Sequence, residues 1–169
     1  SLNCWIKKHG DIELWQSSVD EKFKGLSTSY TESKQIGIDR WLAMVASWDK
    51  YHSSLCVVNC GTALTIDLVD IHGHHLGGYI MPGAELMHKA LMRNTDKINV
   101  SMTNIASLDY ASNTQAAVNN GVFLALVSAI ERIVNKFSVE SGVMPKCIIS
   151  GGNAELIEPL LEYQFEFEP

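Results

Sequence analysis

The sequence predicts a mixed α/β domain, a β-sheet flanked by helices, and three observations carry that expectation. The first is Leu55 to Asp70, LCVVNCGTALTIDLVD, two near-continuous apolar runs of strand length, rich in β-branched residues and split by Gly61-Thr62. The second is helical spacing of apolar residues on both sides of it, over Gly37 to Tyr51 and from Thr114 to about Phe137. The third is Lys146 to Ser150, KCIIS, a buried-strand run followed at once by Gly151-Gly152 and a helix start at Asn153. Strands in succession, then helix, strand and helix, make a sheet with helices packed on it. Ligands in such sheets gather at strand ends.

Taken in order, Leu2 to Ile6 and Ile12 to Trp15 flank His9-Gly10-Asp11 and predict a hairpin. Ser17 to Ser33 is polar, contains Gly25 and reads as loop. The helix over Gly37 to Tyr51 presents Ile38, Trp41, Leu42, Val45 and Trp48 on one apolar face. Asp39 lies in its first turn, where a carboxylate suits the helix dipole, and is locally explained as a helix-start residue; Arg40 beside it is less expected there. The Gly61-Thr62 turn joins buried strands, with the Thr62 and Thr65 hydroxyls beside it. Such a turn is built to hold a phosphate, because N–H groups and a hydroxyl converge; an ordinary hairpin with a polar tip has the same sequence.

Ile71-His72-Gly73-His74 reads as a turn. His72, His74 and His75 are expected to be solvated there rather than metal-bound, since no carboxylate or Cys partner sits at ligand spacing. Leu76 to Met81 is a strand whose Gly77-Gly78 pair marks a bulge or a close backbone approach, and Pro82-Gly83 ends it before a helix from Ala84 to about Arg93. Asn94 to Asn113 is irregular and long enough for a functional loop. The long helix from Thr114 turns Ala117, Val118, Val122, Leu126, Ile130, Ile133 and Val134 inward, with Gly121 expected to permit close packing. The chain ends in an acidic tail with Glu162, Glu166 and Glu168.

Composition bounds the function class. The 169 residues suit one domain or two small lobes, and 46% apolar against 19% charged residues describes a globular chain. The net charge of −6 and the lack of a basic block argue against nucleic acid or an anionic membrane as partner. No apolar run reaches bilayer length and no signal peptide pattern opens the chain, so a cytoplasmic location is expected. Cys4, Cys56, Cys60 and Cys147 form no CxxC and read as reduced thiols, with Cys56 and Cys60 pointing the same way along one strand. A metal site there lacks further ligands.

Five motifs occur in one order: GIDRW from Gly37, NCGTALTID from Asn59, HLGGYIMPG from His75, SNT from Ser112 and SGGNA from Ser150. Together they closely resemble the type III pantothenate kinases, from Gly25 onward, in the sugar-kinase, heat-shock-70 and actin superfamily. The resemblance implies a ribonuclease H-like (actin-like ATPase) fold. It implies ATP-dependent phosphorylation of pantothenate to 4'-phosphopantothenate, the first step of coenzyme A synthesis, by a homodimer with active sites near the subunit interface. Asp39 then matches the carboxylate that takes the proton from the pantothenate hydroxyl, and Gly37, Ile38 and Arg40 match the rest of that substrate motif. Tyr30 and Thr114 match further pantothenate contacts, while Gly61 and Thr62 match the second phosphate loop and Gly151 and Gly152 the adenosine-side glycines. Beyond the resemblance, chemistry lets Arg40 pair with the pantothenate carboxylate as a fork. The implied cofactors are ATP with Mg2+ and a monovalent cation, K+ or NH4+.

Departures qualify these expectations. The family's DxGNTxxK phosphate loop has no counterpart, and Ser1 to Trp5 match the strand after such a loop. The segment before the tyrosine loop is collapsed around Ser17 to Lys22. The chain is therefore expected to be an incomplete record of a longer protein: residues 1–36 a remnant of the N-terminal lobe and substrate loop, 37–169 the C-terminal actin-like lobe with the substrate helix. Asn59 stands where the family usually carries the aspartate that binds the monovalent cation, so that binding should be weak or absent. The alternative reading is a non-catalytic regulatory relative that binds ligand or protein; a sugar kinase or phosphatase is disfavoured by GIDRW and the Tyr30 loop.

Overall fold

The structure, a computed structural model, describes Val19 and residues 22–94 and 105–168. The hairpin expected over Leu2 to Trp15 and residues 95–104, the first part of the loop after Asn94, lie outside the described residues. Among the described residues, seven strands form one mixed sheet: β1 (Lys22–Phe23), β2 (Leu26–Thr28), β3 (Leu55–Cys60), β4 (Ala63–Val69), β5 (His74–Pro82), β6 (Lys146–Ser150) and β7 (Phe165–Phe167), in the spatial order β1-β2-β5-β4-β3-β6-β7. The meander β3-β4-β5 is antiparallel; β6 lies parallel to β3 and β7 parallel to β6. β2 joins β5 in parallel, so residues 22–28 are continuous with the same sheet.

The helices are α1 (Ile38–Tyr51), α2 (Ala84–Asn94), α3 (Thr114–Ser141) and the single turn α4 (Ala154–Ile157). Alternation along the central strands sorts them to two faces. Leu55, Val57, Val69 and Ile148 pack with Trp41, Met44 and Trp48 of α1. Cys56, Val58 and Ile66 pack on the other face with Phe123, Leu126 and Ile130 of α3. Burying one such large side chain contributes about 1.5–3 kcal/mol. Among the described residues no helix is long and apolar enough to cross a membrane.

Several expectations need correction. Residues 22–28 are not loop: Lys24 and Gly25 both take positive φ, 49° and 90°, in the two-residue hairpin turn whose twist suits antiparallel strands. The acidic tail is also a strand; Phe165 is buried, and Glu166 pairs with Lys146 at 2.5 Å while Glu168 takes Lys50 and Tyr51. The buried stripe of α1 is Arg40, Trp41, Met44, Ser47 and Trp48, leaving Ile38 and Leu42 exposed. The stripe is turned because Arg40 is drawn down to a carboxylate on β4. α3 runs on to Ser141 and stops at Gly142, whose φ of 70° suits a helix end. Gly121 is not a packing glycine: a Cβ there would meet nothing within 4 Å.

Candidate active site

The ends of β3 and β6 set the site. Both strands run the same way, with Asn59 level with Ser150, so the Gly61-Thr62 turn after β3 and the Gly151-Gly152 loop after β6 emerge at one edge of the sheet. α1 comes to that edge from the opposite direction. It ends at His52, three residues before β3 begins, and packs back along β3. Its 14 residues span about 21 Å, and the six residues of β3 span about 20 Å. The short link and these lengths direct Gly37, Ile38 and Asp39 toward the end of β3 that leads to Thr62. Asp39, Thr62 and Gly152 are all exposed.

The loop residues at this edge are closely packed. A Cβ on Gly83 would lie 2.7 Å from the Thr62 carbonyl, and one on Gly151, where φ is +94°, would lie 2.7 Å from Asn59 Oδ1. The Gly61 N–H turns inward to the Ala63 carbonyl at 3.1 Å, and Asn153 N–H donates to the Cys60 carbonyl at 3.0 Å. Thr62 and Gly152 are thus the outward positions of the two turns. Asn59 offers a neutral carbonyl between them.

Behind this edge, beneath α1, lies a buried polar chain. Arg40 donates from Nε to Asp67 Oδ2 at 2.9 Å and from Nη2 to Oδ1 at 2.6 Å. His75 Nε2 bonds the same Oδ1 at 2.9 Å, and its Nδ1 lies 3.3 Å from Thr28 Oγ1. Thr28 Oγ1 in turn accepts the Tyr30 N–H at 3.1 Å, and the Tyr30 ring stacks on the His75 imidazole with centroids 5.7 Å apart. Burial pushes the Asp67 carboxyl upward, but hydrogen bonds from His75 and Arg40 outweigh it and hold it below the usual carboxylate range. Burial likewise opposes the Arg40 charge, yet Asp67 and Tyr30 raise its pKa above the ordinary value.

Two expectations change here. The Nε–Nη2 edge of Arg40 is taken by Asp67, so it is not a free fork for a substrate carboxylate. The three histidines part company rather than forming a solvated turn: His72 is exposed, His74 bonds Ser27 Oγ at 2.9 Å, and His75 is fully buried. Among the described residues no three His, Cys, Asp or Glu side chains could hold a metal ion. Asp67 and His75 were not singled out as site residues in the sequence. The one available signal was Gly78, where a Cβ would come 2.6 Å from Asp67 Oδ1 and 2.8 Å from Arg40 Nη2.

Thr114 is not brought to Tyr30 and Arg40. It sits at the start of α3 on the other face, where Asn113 caps the helix by accepting Ala116 N–H at 2.9 Å. There it lines an apolar groove of about 1320 Å³ between α2 and α3, with Leu86, Leu91 and Val118. Cys56, Cys60 and Cys147 are buried thiols: burial pushes Cys60 up to about 12, and a hydrogen bond donated to Cys147 together with burial raises Cys56.

Comparison with known proteins is decisive on family. The model of the type III pantothenate kinase family matches residues 1–136. The chain belongs to the type III pantothenate kinase family. It is 35% identical to the type III pantothenate kinase of Nitrosococcus oceani over 99% of this chain, and 36% identical to that of Acinetobacter baylyi over 97%. It spans 65% of the length of each of those two relatives. A solved structure from Campylobacter jejuni, described as a Baf family transcriptional activator, superposes with a TM-score of 0.59. That match has 23% identity and covers 85% of this chain and 61% of the other, a likeness of fold. The seven-stranded mixed sheet flanked by helices is the actin-like ATPase architecture of type III pantothenate kinases.

Proposed function

We propose that this protein is an ATP-dependent pantothenate kinase forming 4'-phosphopantothenate. What supports the reading is that the Thr62 and Gly152 turns leave the parallel strands β3 and β6 at one end of the sheet, and that α1, linked to the start of β3 by a short turn, runs back with its N-terminus toward that end. Phosphoryl transfer needs a hydroxyl aimed in line, a group to take its proton, and donors for the phosphates. Asp39 is the base: it accepts the proton as the pantothenate hydroxyl oxygen bonds to the γ-phosphorus and the bond to ADP breaks. Gly37, Ile38, Arg40 and Tyr30 shape the pantothenate pocket. With its Nε–Nη2 edge on Asp67 and the Tyr30 side chain beside it, Arg40 acts on the pocket mainly by holding its wall.

Thr62, with Gly61, Gly151 and Gly152, receives ATP. Gly83 and Gly151 let these turns pack against one another, since a Cβ at either would strike the neighbouring turn's backbone, and the exposed Thr62 and Gly152 are left to face the nucleotide. Mg2+, which neutralises charge on the β- and γ-phosphates when bound, fits as a passenger on ATP, since the described residues hold no metal cluster of their own. Asn59 supplies one uncharged oxygen and fits K+ or NH4+ poorly. Thr114 lies across the sheet from Tyr30, and this favours a homodimer in which a second copy brings its Thr114 to the pocket. A cytoplasmic enzyme without nucleic-acid or membrane partners accords with the acidic charge balance.

The test is pantothenate-dependent ADP release with mass detection of the phosphorylated product. Release with ATP alone, or none with pantothenate present, removes the proposal. The neutral Asn59 favours a second reading, a non-catalytic regulatory relative, for which calorimetry would show ligand binding without turnover.

A further inference from the structure

We infer that Asp67 and His75 are positioning residues that lock the Tyr30 loop and the first turn of α1 into one preformed substrate pocket. The inference deepens the reading of pantothenate as substrate and rests on it. Tyr30 and Arg40 come from separate segments. Besides the Tyr30 side chain beside Arg40 and the Ser29 N–H on the His75 carbonyl, a buried line of hydrogen bonds joins them: Tyr30 N–H to Thr28 Oγ1 at 3.1 Å, Thr28 Oγ1 with His75 Nδ1 at 3.3 Å, His75 Nε2 with Asp67 Oδ1 at 2.9 Å, and Arg40 Nη2 to that same Oδ1 at 2.6 Å.

The line has a direction. Asp67 accepts from both His75 and Arg40, so the His75 proton sits on Nε2. Nδ1 is then the acceptor for the Thr28 hydroxyl, which is free to donate because its oxygen already accepts from Tyr30. His75 also carries the Tyr30 ring on its face, with an interplanar angle of 14°. Both groups in the middle are sealed: His75 is 0% and Asp67 2% exposed. A fully satisfied buried network of this kind rigidifies its surroundings. It also takes up the Arg40 charge, so Arg40 contributes geometry rather than a free cation.

The test uses the full-length protein with Thr28→Val, which keeps the shape and removes the hydroxyl, and Asp67→Asn. Backbone hydrogen exchange over residues 26–31 and the KM values for pantothenate and ATP are measured for both. The expected result is faster exchange over residues 26–31 in both variants, with the pantothenate KM raised about tenfold while the ATP KM stays within about twofold. A lower pantothenate KM in Asp67→Asn would mean that Asp67 merely competes for Arg40, and overturns the inference. So does unchanged exchange in Thr28→Val, a variant that needs no buried charge removed to fold. Exchange reads the linkage whatever substrate the enzyme takes. A wild-type protein inactive on pantothenate would therefore remove the functional reading alone, and the exchange result would still decide this one.

Discussion

Asp39 is exposed on the first turn of α1, whereas its neighbour Arg40 is buried against Asp67, and the contrast sets what each substitution does. Asp39→Asn removes the proposed base without disturbing a buried partner. Turnover should fall by about 10²–10⁴-fold with an unchanged melting temperature, read by steady-state kinetics and a thermal melt. The Asp67 carboxyl is held below its ordinary pKa, so its contribution to stability is complete above about pH 3.9 and is lost as the pH falls through the lower folded value. Acid unfolding curves should show this limb in the wild type and lose it in Asp67→Asn. Removing one partner of a buried pair should also cost about 3–5 kcal/mol at neutral pH. Asn59 predicts that activity in K+ and in cation-free buffer is the same; strong K+ activation would contradict the neutral-carbonyl argument. The helix start at Asp39 and the turn at Thr62 were legible from local sequence, while their proposed roles rest on the family resemblance. The Arg40 partner was not, because it lies 27 residues away and no periodic pattern reports a pairing across the sheet. His75 was misread for a related reason: beside a Gly-His turn it looks solvated, and its burial comes from β2 pairing beside it and the Tyr30 ring stacked on its face.

The long elements were readable because period and length agree. β3, β4 and β6 fall where apolar runs meet glycine, and α3 begins at Thr114 because Asn113 caps it. The short elements escaped. β1 and β2 hold five residues between them in a polar stretch, and Phe165-Glu166-Phe167 alternates as a strand inside an acidic tail. Charge explains the latter. Glu166 is brought down to about 2, first by the Lys146 hydrogen bond and then by Tyr51 and Lys50, so the acidic residues are counter-charges for the neighbouring strand and for α1 rather than a solvated end. At α3, Gly121 faces open space within a regular helix. Gly121→Ala should therefore stabilise the chain by about 0.5–1 kcal/mol through helix propensity. A thermal melt checks this, with a rise of about 1–4 °C expected.

At the scale of the whole molecule, one sheet separates two sets of residues that the family resemblance assigns to one substrate. Tyr30, Asp39 and Arg40 belong to the α1 face, and Thr114 to the α2–α3 groove. If each pocket of the proposed homodimer is completed by the partner's Thr114, two inactive variants should complement. Mixing Asp39→Asn with Thr114→Arg after unfolding and refolding should restore about a quarter of wild-type activity, because half the dimers are mixed and each holds one intact site. No restored activity on mixing would place Thr114 outside the partner's pocket. The fold class was legible at this scale, since strand and helix order determine it. The division of residues between faces was not, because it depends on which side of the sheet each crossover takes.

The matched lengths of α1 and β3 make the helix a ruler whose zero mark is the short link at His52. Adding one residue within α1 would advance its tip by about 1.5 Å and swing it through about 100°, carrying the carboxylate out of phase with the turns opposite. Length in this segment is thus a constraint separate from composition: polar-for-polar exchanges on its outer side should be tolerated, while an insertion of a single residue should not.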